Sequence, residues 1–206
     1  MNSTNKVAWF VFGFLAIGVG LYPLIYIFSA DHVGIQLSKS AALLANVAWN
    51  LGFYGHILFG GLALMVGWVQ FSKRFREANF KRHRTIGGIY VAAAVVSGGC
   101  GLGIALFATG GIVAQLGFLT LAVVWLYFTL NAFWAIKKRD LDMHRVYMIY
   151  SYAACFGAVT LRIWLPLLTL AFGAFLPAYR VVAWLAWVPN IIFAYIWVRR
   201  KGLNIG

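Results

Sequence analysis

Two short stretches of this sequence carry the same dipeptide in the same setting. The segment Phe80-Lys81-Arg82-His83-Arg84 and the segment Asp140-Leu141-Asp142-Met143-His144-Arg145 both end in His-Arg, 61 residues apart, and both lead into an apolar run. Imidazoles held at one depth on neighbouring helices would supply the two axial nitrogens of a six-coordinate haem b iron. Arg84 and Arg145 would then meet the haem propionates as bidentate partners. The same residues also have a plainer use, as interfacial anchors for lipid phosphate at the start of a helix. Both readings stand on the sequence.

A second group lies inside the apolar runs. At 1.5 Å per residue, His56 comes roughly 22 Å and Arg162 roughly 25 Å from the basic end of their helices, so the two share a level. A charged residue at that depth costs several kcal/mol and is usually functional or paired. The four acids, Asp31, Glu77, Asp140 and Asp142, all fall in loops, leaving Arg162 no carboxylate within the membrane. A polar pocket of His56, Arg162 and Asn190, with Tyr54 near it, would suit a quinone headgroup, a haem propionate or a small anion. His56 alone has an alternative as an interhelical hydrogen-bonding residue.

These residues need elements to hold them, and composition says which. Of 206 residues 63% are hydrophobic and 10% charged, and the mean hydropathy is +0.85. Soluble domains are roughly half apolar and about a quarter charged. The chain is therefore expected to be an all-α polytopic membrane protein, a single integral membrane domain over 1–206; a soluble enzyme, a disordered tail and a disulfide-stapled secreted domain are excluded. Six runs reach the length of about 20 residues that crosses a hydrocarbon core: near 7–30, 41–71, 86–109, 112–136, 146–171 and 181–198. The second is expected to open with an interfacial turn around Asn46 and Asn50. The first is too long for a signal peptide's apolar core and is taken as a retained helix.

All Lys and Arg except Lys39, Arg162 and Arg180 fall in the N-terminal segment, the loops after the second and fourth runs, and the tail. Cytoplasmic loops keep Lys and Arg, so both termini are expected on the cytoplasmic side of the cytoplasmic (inner) membrane. This accounts for most of the +13 net charge through topology and anionic lipid headgroups, without nucleic acid. The runs two–three and four–five then form a weak parallel two-hairpin repeat. Gly99 and Gly103 have the spacing that lets helices approach closely in lipid. Walker loops, HExxH and Gly-x-Ser-x-Gly are lacking, and the sequence leaves open whether the protein is an enzyme.

The set His56, Gln70-Phe71, His83-Arg84 with Gly87 and Tyr90, His144-Arg145, and Ala158-Val159-Thr160-Leu161-Arg162 ending in Trp164-Leu165-Pro166 resembles the bacterial DUF2306 family of predicted multi-pass membrane proteins. That resemblance implies a multi-helix membrane fold and no settled chemistry. A looser likeness is to cytochrome b561-type six-helix electron carriers. It implies that His83 and His144 make one haem-ligating pair and His56 half of another, whose second member is missing because the fourth run has no histidine. Three functions remain in view: haem b electron transfer with a quinone or small-anion pocket, non-enzymatic binding or transport around His56 and Arg162, and an accessory subunit docking through its His-Arg face.

Overall fold

The structure, a computed structural model, describes residues 3–203, with side chains from residue 6 onward. Every regular element among them is helical. The six spans run Lys6–Phe28, Val47–Phe71, Phe80–Ala105, Ile112–Lys137, Leu141–Phe172 and Phe175–Arg200.

Three spans are broken, each at an identifiable residue. The first divides into α1 (Ser3–Leu21) and α2 (Pro23–Phe28), where Pro23 takes the first helical turn and supplies no N–H to continue the ladder. A short turn, α3 (Ala41–Leu44), precedes α4 (Val47–Gly67), whose Asn46 cap accepts from the Trp49 amide at 2.9 Å. The interfacial turn expected near Asn46 is thus a separate element. The basic loop contains α5 (Lys73–Ala78), and the third and fourth spans are the unbroken α6 (Phe80–Ala105) and α7 (Ile112–Lys137). Gly110 and Gly111, at φ +110° and +70°, make the tight connection between them, a conformation that favours glycine.

The fifth span is α8 (Leu141–Cys155) and α9 (Gly157–Phe172); the sixth is α10 (Phe175–Leu185) and α11 (Val188–Arg200). Their two breaks meet. The Ala186 carbonyl, at the break before Pro189, accepts from the Thr160 hydroxyl and from Asn190 Nδ2. Backbone freed inside a bilayer must be satisfied by neighbours in this way.

Helices α6 and α8 begin earlier than hydropathy places them, at Phe80 and Leu141. Asn79 caps one by accepting from Arg82 N at 2.9 Å, and Asp140 caps the other by accepting from Met143 N at 3.0 Å. A capped first turn is stable while polar, so the charged residues that hydropathy reads as loop are helical. His83 and His144 are each the fourth residue after their cap.

The two helices that carry the His-Arg pairs touch about two turns beyond the histidines. Tyr90 and Ser151, again 61 residues apart, bond through their hydroxyls at 2.7 Å. Both are fully buried, as is Thr129 beside them, and Trp125 is buried too. Thr129 Oγ1 donates to the Trp125 carbonyl at 2.7 Å. Its single proton spent, it accepts from Ser151 at 2.7 Å. Ser151 therefore accepts from Tyr90, and Tyr90 accepts from Trp125 Nε1 at 3.4 Å. The bonds form a directed circuit that leaves α7, crosses α6 and α8, and returns to α7.

Small residues set the close crossings, although not those expected. Gly99 and Gly103 face open space on the outside of α6; the predicted packing pair is thereby corrected. The tight approaches are elsewhere: Gly61 of α4 lies against the Gly20 carbonyl of α1, and Gly67 lies against the Tyr152 ring. The sequence spacing was right for packing, but the helix turns that face toward lipid.

Candidate binding site

A cavity of about 740 Å³ opens among the spans in the half of the bundle away from the basic loops. That volume falls within the range of roughly 300–1,000 Å³ typical of small-molecule sites. Its walls come from every span, and most of the side chains lining it are apolar, including Phe53, Leu64, Leu121 and Phe175. The polar groups that interrupt them are few and each has a definite placement.

His56 projects from α4 toward α6. Its Nδ1 lies 3.0 Å from the Ser97 carbonyl, and Ser97 Oγ donates back to the His56 carbonyl at 2.8 Å. A carbonyl only accepts, so Nδ1 carries a proton, and the residue lines the cavity. Gly101 stands opposite the ring, where a Cβ would come within 3.1 Å of Nδ1.

Arg162, from α9, lies in the same wall. Its guanidinium stacks over the Tyr22 ring at 4.3 Å, and Nη1 donates to the Ala158 carbonyl one turn back at 2.9 Å. Nε is buried without an acceptor, as is the indole Nε1 of Trp49 on another wall. Orphaned buried donors are rare in proteins and expensive. The ion pairs among the described residues, Lys73–Glu77 and Asp142–Arg145, both lie at the basic end. Arg162 has no such partner.

Residues 29–40 close the top. Ile35 N donates to Tyr26 Oη at 3.4 Å, and buried Gln36 donates to Tyr54 Oη at 3.5 Å. Ser38 pairs with Thr109 at 2.7 Å. Lys39 Nζ donates to Thr109 Oγ1 at 2.9 Å and to the Phe107 carbonyl, while its stem lines the cavity. Burial pushes the Lys39 ammonium below the ordinary lysine value.

His56 and Arg162 therefore come together as their depths predicted. Asn190 does not join them. Its Nδ2 is engaged by the carbonyls of Ala153 and Ala186 and by Thr160 Oγ1, so it mends the helix breaks and stands outside the cavity wall. Tyr54 likewise serves the closing loop. Lys39, Trp49, Tyr22 and Ser97 belong to the site and were not singled out in the sequence, where a loop lysine and a Trp near a span end look like interfacial residues.

The His-Arg pairs lie at the opposite end. His144 Nδ1 is 2.8 Å from the Ala132 carbonyl, His83 Nδ1 is buried without a partner, and the two histidines are electrostatic neighbours. Arg84 and Arg145 are exposed, and Arg145 pairs with Asp142 at 3.2 Å.

Six apolar spans enclosing a ligand-sized chamber with an unpaired guanidinium define an integral, multi-pass membrane protein. The chain belongs to the family described as predicted membrane protein (DUF2306), which matches residues 53–198, from within α4 to within α11. Searches of curated proteins and of solved structures returned no match.

Proposed function

We propose that this is a non-enzymatic binding protein of the cytoplasmic membrane, its basic loops toward the cytoplasm, that holds an amphiphile in the cavity. The observation that carries this is the pairing of a large apolar chamber with a few polar groups among its lining residues, chief among them Arg162 and His56. The chamber's lining matches a ligand with a polar head and an apolar body. A quinone or a lipid meets that description, because either dissolves in the bilayer from which the cavity is built.

The test is thermal unfolding in detergent with a set of single-chain amphiphiles and a short-tailed ubiquinone. A ligand that binds only the native state stabilises it by about 2.7 kcal/mol at a hundredfold excess over Kd. Replacing Ile57, on the cavity wall, with Trp narrows the chamber and is expected to reduce the shift without unfolding the protein. Unchanged stabilisation in that variant, or no shift with any compound, would refute the proposal.

A second reading concerns the basic end: haem b held by His83 and His144, for electron transfer. It is supported by their equivalent places on α6 and α8. His144 also donates Nδ1–H to a backbone carbonyl, as metal-bound imidazoles commonly do. Haem would supply one-electron chemistry there. A reduced-minus-oxidised visible spectrum tests it: a sharp α-band that vanishes in His83→Ala and His144→Ala supports haem, and a flat spectrum from haem-replete cells eliminates it.

A further inference from the structure

Resting on the proposed amphiphile-binding role, the geometry around Arg162 points to the chemical class of the ligand. We infer that its head is a single carboxylate, so that the cavity takes a long-chain organic acid.

A guanidinium has one face pair, two ends and one side edge to offer. In this protein the Tyr22 ring covers a face at 4.3 Å, and the Ala158 carbonyl occupies Nη1 at 2.9 Å. Nη1 keeps one N–H, Nη2 both of its own and Nε its single one, and Nε and Nη2 together form the side edge. Nε has no acceptor, and Nη2 makes no hydrogen bond among the described residues. Two parallel N–H donors on one edge match the two oxygens of a carboxylate. The charge agrees with the geometry. One cation in an apolar wall with no acidic neighbour is neutralised by one negative charge. Lys39, the other cation lining the cavity, is held by Thr109 and the Phe107 carbonyl, and no second free fork is present there for a dianionic phosphate. The remainder of the chamber is apolar enough for a hydrocarbon chain.

The experiment uses the full chain in nanodiscs, with empty nanodiscs subtracted, and follows the fluorescence of cis-parinaric acid and of the corresponding alcohol. The acid is expected to bind at least tenfold more tightly than the alcohol. Arg162→Gln should remove that preference, bringing the acid to about the affinity of the alcohol, with the helical circular-dichroism spectrum reporting that the variant is folded. Arg162→Lys, keeping the charge but not the fork, should lose most of it. Equal binding of acid and alcohol to the wild type would overturn the carboxylate assignment and leave the amphiphile role standing. Failure of both probes to bind would overturn both. Stronger displacement of the probe by hexadecyl phosphate than by hexadecanoic acid would replace the carboxylate with a phosphate head.

Discussion

Substituting Tyr90 with Phe tests whether the buried hydroxyl circuit is closed and directed as the bonding requires. The change removes one oxygen and two hydrogen bonds, leaving Trp125 Nε1 without an acceptor and Ser151 without its donor. A hydrogen bond contributes about 1 kcal/mol net in soluble proteins and about 0.6 kcal/mol on average between membrane helices. The bond from Trp125 is long, so Tyr90→Phe should destabilise by about 1–2 kcal/mol. Ser151→Ala also deletes two bonds, one of them the same, and should have a similar effect. The double variant therefore falls short of the sum by about 1 kcal/mol, the energy of the shared bond being counted once. Reversible unfolding in bicelles, followed by helix content at increasing denaturing detergent, gives all four stabilities. Additivity within about 0.3 kcal/mol would refute the circuit, because independent sites add and neighbours in one network do not.

Gly61→Val should destabilise by about 1–3 kcal/mol, since the added atoms meet the Gly20 backbone carbonyl rather than a movable side chain. Gly103→Ala, facing open space, should stay within about 0.5 kcal/mol of wild type in the same assay. Lys39 has a folded-state pKa below its unfolded one, so the unfolded chain binds more protons just below the ordinary lysine value. Over that alkaline window wild-type stability should rise with pH relative to Lys39→Met. A difference between the two proteins that is flat with pH would contradict the burial of that ammonium.

The spans were legible because hydropathy over some twenty residues is a strong, one-dimensional signal. Their starts were not, at α6 and α8, because the caps Asn79 and Asp140 make helix out of residues that hydropathy scores as loop. Depth was legible too: counting residues placed His56 and Arg162 at one level, where both line the cavity. Azimuth was not. Asn190 and the pair Gly99 and Gly103 have plausible depth or spacing but face elsewhere, and rotation about a helix axis depends on neighbours that no local pattern encodes. Trp49 and Lys39 escaped notice for the opposite reason, since each has an ordinary interfacial explanation that only the enclosing walls exclude.

The circuit through Trp125, Tyr90, Ser151 and Thr129 also has a temporal meaning. The ribosome delivers α6 before α7, and α7 before α8, so Tyr90 and Thr129 reach the bilayer ahead of the serine that joins them. Until Ser151 arrives, the nascent bundle carries hydroxyls with incomplete pairing in hydrocarbon, a state that favours water or an insertion partner at that seam. Emergence of α8 both completes the second hairpin and seals the first. The bonding thus ties the third and fourth spans to a later one, and their shared seam is complete only when the fifth span is in place.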